Sequence, residues 1–146
     1  VDRSTSPPTR SQTVTRLVLG AIMTIAGLGH LTTAREEFQA QVPDWMPLDD
    51  DLVVVGSGVI EIGLGLALLA LPRHRRVTGL ALAAFFVAIF PGNVAQYLEG
   101  TDAFGLDTDT KRLVRLFGQP VLVAAALWSA GIPDRGGRSR REGAST

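Results

Sequence analysis

Four long apolar runs, each close to the length that crosses a bilayer, divide this chain, and nearly all of its charge lies between them. The runs cover residues 17–33, 52–71, 77–98 and 113–132. A helix of about 20 residues spans a hydrocarbon core of roughly 30 Å. Strands of a membrane barrel would instead alternate over about ten residues, and helices of a soluble domain would each carry a polar stripe. Neither pattern is present, so the expected fold is all-α: an antiparallel bundle of four transmembrane helices, a multi-pass protein of a bacterial cytoplasmic membrane. The first run also invites a reading as a cleaved signal peptide. Its arginine-rich start fits, but Thr32-Thr33-Ala34 is a poor cleavage site.

The domain organisation follows from the same runs. Residues 1–16 are polar, with Pro7, Pro8 and three arginines, and are expected to form a flexible cytoplasmic tail; 17–132 is the membrane domain; 133–146 is a second flexible, basic cytoplasmic tail. The net charge is zero but strongly sorted. The tails and the Pro72-Arg73-His74-Arg75-Arg76 turn must share a side if there are four spans, and together they hold ten of the fourteen basic residues. The excess of Lys and Arg marks the cytoplasmic side, placing both termini there. The intervening loops are mostly acidic. No basic face suits a nucleic acid, so the partners expected are membrane lipid and a soluble or membrane-bound redox enzyme. With no cysteine, the chain has no thiolate, disulfide relay or cysteine-held cluster, and two histidines are too few for a histidine metal site; no metal is expected.

Polar side chains inside apolar runs are costly and draw attention to function. Glu61 sits nine residues into the second run, near the expected midplane, with Gly58 and Gly65 on its face. His30 lies near the outer end of the first run, Asn93 and Gln96 near that of the third, and Arg115 and Gln119 in the outer half of the fourth. These six are expected to line a ligand pocket open to the outer leaflet, with Glu61 and His30 as candidate catalytic groups, while the inner half holds almost no polar side chain. Pro91 and Pro120 each remove a helical N–H, and Pro91-Gly92-Asn93 should interrupt the third helix. A plainer role stands beside each residue: interhelical hydrogen bonding for the amides, snorkelling for Arg115 and capping for His30. No nucleotide loop, zinc motif or hydrolase elbow is present.

The chain resembles the DoxX-like family of small four-helix membrane proteins. The likeness rests on Ala26-Gly27-Leu28-Gly29-His30, Val42-Pro43-Asp44-Trp45-Met46-Pro47, Gly58-Val59-Ile60-Glu61-Ile62-Gly63-Leu64-Gly65 and Phe90-Pro91-Gly92-Asn93-Val94, and covers about residues 17–132. That resemblance implies an accessory role. Members include a small membrane subunit of a thiosulfate–quinone oxidoreductase and an actinobacterial scaffold joining a superoxide dismutase to a sulfurtransferase. The Arg, Ala and Gly content fits such a GC-rich bacterium.

Three functional readings follow. The first is an accessory or anchoring subunit of a redox or detoxification system that holds a quinone, with no covalent cofactor. Glu61 and His30 would bind or protonate the quinone oxygens, and Arg115 would tune Glu61. The second is a small enzyme moving protons on a lipid-like substrate. The third is a transporter, which with so few helices would have to be a homo-oligomer, joined through the glycine-rich faces.

Overall fold

The first helix starts before its apolar run does, because Thr9 and Gln12 form a reciprocal cap: Gln12 N–H donates to Thr9 Oγ1 at 3.2 Å and Thr9 N–H to Gln12 Oε1 at 3.0 Å. In the computed structural model, which describes residues 7–133, this cap opens α1 (Arg10–Leu31), so residues 10–16 are helical rather than part of a flexible tail. The rest of the expected first tail, 1–6, and nearly all of the second lie outside the described residues. After α1 come a short α2 (Arg35–Gln39), α3 (Asp50–Ala70), a single 3-10 turn (Pro72–His74), α4 (Arg75–Glu99) and α5 (Asp109–Ser129). Among the described residues every regular element is helical.

Local chemistry sets the other boundaries. Asp49 accepts from the N–H groups of Asp51 and Leu52, and Asp50 and Asp51 add negative charge to the first turn of α3. Gly100, at φ +67°, ends α4 in the left-handed conformation that suits glycine. Thr108 caps α5 by accepting from Lys111 N–H at 3.3 Å. The expected interruption at Pro91 does not occur. Both α4 and α5 continue as helix through their prolines, each with one backbone N–H fewer.

Three helical segments, Arg10–Leu31, Asp50–Ala70 and Pro72–Glu99, are long and apolar enough to cross a membrane. Helix α5 matches them in length, but Asp109, Lys111, Arg112 and Arg115 crowd its first two turns, and it falls outside that group.

Glycines decide which helices become neighbours. Gly20 and Gly27 on α1 face Gly65 and Gly58 on α3, each pair seven residues apart and running in opposite directions. A Cβ on Gly27 would stand 2.6 Å from the Gly58 carbonyl oxygen, and one on Gly65 would stand 2.8 Å from that of Gly20. The two backbones therefore touch with nothing between them. Gly79 does the same for α4 against α5, where a Cβ would meet Ala130 Cβ at 2.7 Å. Leu19, Met23, Leu68, Leu82, Ala83, Phe86 and Ala126 fill the centre where these pairs meet. Gly58 and Gly65 are thus used up within the chain and are not a face for self-association.

The surface carries large apolar side chains as the interior does. Large hydrophobic side chains such as Ile22, Ile25, Val59, Leu66, Val77, Val87, Phe117 and Val121 are exposed along the outer faces of all four long helices. Such a continuous apolar exterior far exceeds the scattered exposed hydrophobics of a soluble domain.

The end opposite His30 departs from expectation. It is not devoid of polar groups: Gln12, Arg16, Thr78 and Ser129 are all buried there. The earlier start of α1 explains this, because it carries Gln12 and Arg16 into the assembly. Arg16 donates to the Leu68 carbonyl and, at 3.4 Å, to that of Leu69, serving the last turn of α3 where helix carbonyls lack partners.

Candidate ligand-binding site

At the other end, the last turn of α1 and the N-terminal half of α3 bring His30 beside Ser57 and Glu61, because the Gly27–Gly58 contact leaves room for a ring directly above it. A Cβ on Gly58 would lie 2.7 Å from His30 Cβ. His30 Nδ1 is 2.9 Å from Ser57 Oγ and 3.2 Å from the Val54 carbonyl oxygen, and Ser57 Oγ donates to that same carbonyl at 3.0 Å. A carbonyl only accepts, so this arrangement assigns a proton to Nδ1. The remaining ring nitrogen, Nε2, faces Glu61 Oε2 at 3.5 Å, with both side chains more than nine-tenths buried. That separation is too long for a good hydrogen bond, and Glu61 Oε2 is otherwise buried with no partner. A buried polar atom left unpaired costs about 1–3 kcal/mol, a cost tolerated where a ligand completes the set.

A loop closes over this pair. The Phe38 ring lies against His30 with centroids 3.4 Å apart, Phe104 meets Phe38 edge-on at 4.6 Å, and the Arg115 guanidinium sits 5.8 Å from the Phe104 centroid. Arg115 also donates to Gln41 Oε1 at 2.9 Å. The loop is anchored at its root by Arg35, which donates to Asp51 Oδ1 at 2.6 Å and pairs with its second oxygen, while Gln39 donates to the same carboxylate at 2.8 Å. The Asp51 carboxylate, chiefly through the hydrogen bond, holds the Arg35 guanidinium above its usual pKa. From the other side, Phe104 N–H donates to Glu37 Oε2 at 2.6 Å, joining the two loops.

Between the loop and the helices is a cavity of about 270 Å³. Its polar groups come from His30, Gln41, Ser57, Glu61, Asn93 and Arg115; its apolar walls come mainly from Phe38 of α2, Val42, Pro43, Trp45 and Met46 of the loop, Val53 and Val54 of α3, and Ala88 and Ile89 of α4. An apolar chamber with a few convergent polar groups is the ordinary form of a small-molecule site.

Of the six residues expected at a pocket, four converge on it: His30, Glu61, Asn93 and Arg115. Gln119 does not line the cavity. It stands behind Asn93, accepting from Asn93 Nδ2 at 3.0 Å and donating to the Phe86 carbonyl at 2.7 Å, next to the α4 turn that Pro91 leaves one N–H short. Gln96 does not line it either; its amide reaches the Thr101 carbonyl at 3.4 Å and steadies the loop after α4. Arg115 bonds Gln41 rather than Glu61. Three participants had no signal in the apolar runs: Phe38 of the short α2 and Gln41 of the loop after it, which lie between the runs, and Ser57, an ordinary small residue of a helix. The motif at 42–47 starts one position after Gln41.

A family model described as "Domain of unknown function (DUF8561)" matches residues 19–130, most of the chain, from within α1 to the end of α5. No curated protein and no solved structure matches.

Proposed function

This chain belongs to the DUF8561 family, and we propose that it is a four-span protein of a bacterial cytoplasmic membrane whose loop-covered cavity holds the head of a lipophilic ligand of the quinone class. In this reading it serves as an accessory or anchoring subunit of a redox or detoxification system, beside a soluble or membrane-bound redox enzyme. The observation that carries the proposal is the pair of buried, unpartnered polar atoms, Glu61 Oε2 and Gln41 Nε2, on residues lining one largely apolar cavity.

Several features support the fourth span and the orientation. Helix α5 exposes Val114, Phe117 and Val121 in line with the apolar exteriors of its neighbours. Its early charges are turned away from that face: Arg112 pairs with Asp102 and Asp109 at the helix end, and Arg115 points into the loop contact. The excess of arginines at the 72–76 turn and toward both termini supports a cytoplasmic assignment for that side, and in this reading the cavity belongs to the outer half. The likeness to DoxX-like proteins rests on the sequence motifs alone.

A quinone, when bound, supplies paired electron and proton carriage. The residues of the chain supply everything else. Asn93 and Glu61 offer hydrogen-bonding groups, His30 Nε2 and Glu61 Oε2 stand side by side where each can exchange a proton with the ligand, and Phe38, Trp45 and Met46 exclude water from the head. The same His30–Glu61 pair also suits proton transfer on a lipid-like substrate, the alternative reading. A homo-oligomer would need a face other than Gly58 and Gly65.

The test uses the detergent-purified protein carrying Trp128→Phe, which leaves Trp45, at the cavity wall, as its one tryptophan. Titration with a short-tailed 1,4-naphthoquinone is expected to quench its fluorescence saturably and raise the melting temperature. Glu61→Gln should weaken binding roughly ten-fold, about what one buried hydrogen bond contributes, without lowering the melting temperature of the unliganded protein. Absence of saturable quenching together with absence of thermal stabilisation would overturn the proposal.

A further inference from the structure

Side-chain amides are often ambiguous in orientation, but Gln41 is not. Its neighbour Arg115 can only donate hydrogen bonds, and the guanidinium NH2 group lies 2.9 Å from one amide atom, which must therefore be the oxygen. The amide nitrogen is forced to the other side, where it is buried with no partner on a residue that lines the cavity. The backbone is seated as well: the Gln41 carbonyl oxygen packs against α4 at Gly92, 3.6 Å from where a Cβ would stand. Arg115 is itself held over the Phe104 ring. The loop thus presents an N–H donor whose direction is fixed by α5 and whose position is fixed by α4.

Glu61 Oε2 is the second unpartnered atom, reached from α3 beneath His30 rather than from the loop. One occupant satisfying both must carry two separate polar functions, which in a quinone-class head are oxygens, and the one at Gln41 must be an acceptor, because an amide N–H can only donate.

We propose that Gln41, oriented by Arg115, is the specificity-determining residue of the cavity, selecting a ligand head with two separate oxygen functions, of which the one at the loop is a carbonyl-type acceptor. This rests on the ligand-binding reading above and adds to it the requirement for a second oxygen. A water at each atom would satisfy them equally well and would impose no such preference.

The experiment compares two probes of equal tail length: a 1,4-naphthoquinone and the matching bicyclic ketone with a single ring carbonyl. Wild type is expected to bind the first at least roughly ten-fold more tightly. Gln41→Glu keeps the acceptor that Arg115 requires and replaces only the N–H, and should bring the two affinities within about two-fold. Gln41→Met should do the same with no charge added. Wild type binding both probes equally, or Gln41→Glu retaining the full preference, overturns the inference while leaving the ligand site standing. Binding of neither probe to wild type defeats the ligand site itself. The wild-type comparison needs no variant, so a variant that fails to fold does not leave the question open.

Discussion

A polar residue is conspicuous in sequence only where its neighbours are apolar. His30, Glu61, Asn93 and Arg115 stood out for that reason, and the fold brings all four to one cavity. Gln96 and Gln119 stood out equally and serve instead as hydrogen-bonding struts, since position along a helix gives depth but not which neighbour an amide will meet. Gln41 was invisible because a polar residue in a polar loop carries no signal, and its importance comes wholly from Arg115, 74 positions later. Loop charges can also be read one at a time. Lys111 Nζ donates to Asp107 Oδ1 at 2.7 Å and, chiefly through that hydrogen bond, holds the Asp107 carboxyl below its usual pKa. A carboxyl depressed on folding stabilises the fold above its unfolded pKa, and that contribution fades as the pH falls through the folded value. Asp107→Asn should therefore melt slightly lower than wild type near neutral pH and match it in strong acid. Paired thermal scans across that range check this; a constant difference at all pH values would contradict it.

At the scale of elements, the apolar runs located the long helices but misjudged their ends. Hydropathy marks where lipid contact begins, whereas helix starts are set by caps, and the Thr9–Gln12 cap starts α1 at Arg10, seven residues ahead of the first run. A proline predicts a break at Pro91, yet α4 tolerates it, with the Gln119 amide serving a carbonyl in the preceding turn. The glycines sort into two classes by what surrounds them. Gly58→Ala forces a methyl to 2.7 Å from His30 Cβ and 3.1 Å from the Gly27 carbonyl, and should destabilise by about 1–3 kcal/mol while displacing His30 from Glu61. Gly63→Ala meets no atom within 4 Å and should be neutral or stabilising by up to about 1 kcal/mol, the helix preference of alanine. Unfolding of the detergent-solubilised variants compares the two, and equal losses would show that the α1–α3 contact is looser than described.

The whole molecule is two tight antiparallel pairs, α1 with α3 and α4 with α5, joined around a small central core and wrapped in exposed apolar side chains. The sequence made the all-helical class and the apolar exterior legible, because both follow from composition along the chain. It left the pairing ambiguous, since glycines lie on more than one face of α3 and only the fold shows that Gly58 and Gly65, not Gly56 and Gly63, meet α1. Four crossings, with the cavity in the outer half, form the premise of every functional statement above. Because the chain has no cysteine, single cysteines placed at His74, Asp107 and Pro133 can be challenged in intact cells with a membrane-impermeant maleimide. The expected result is labelling at Asp107 alone, with His74 and Pro133 reacting only after the membrane is opened; labelling of His74 from outside, or of Pro133 together with Asp107, would contradict the account.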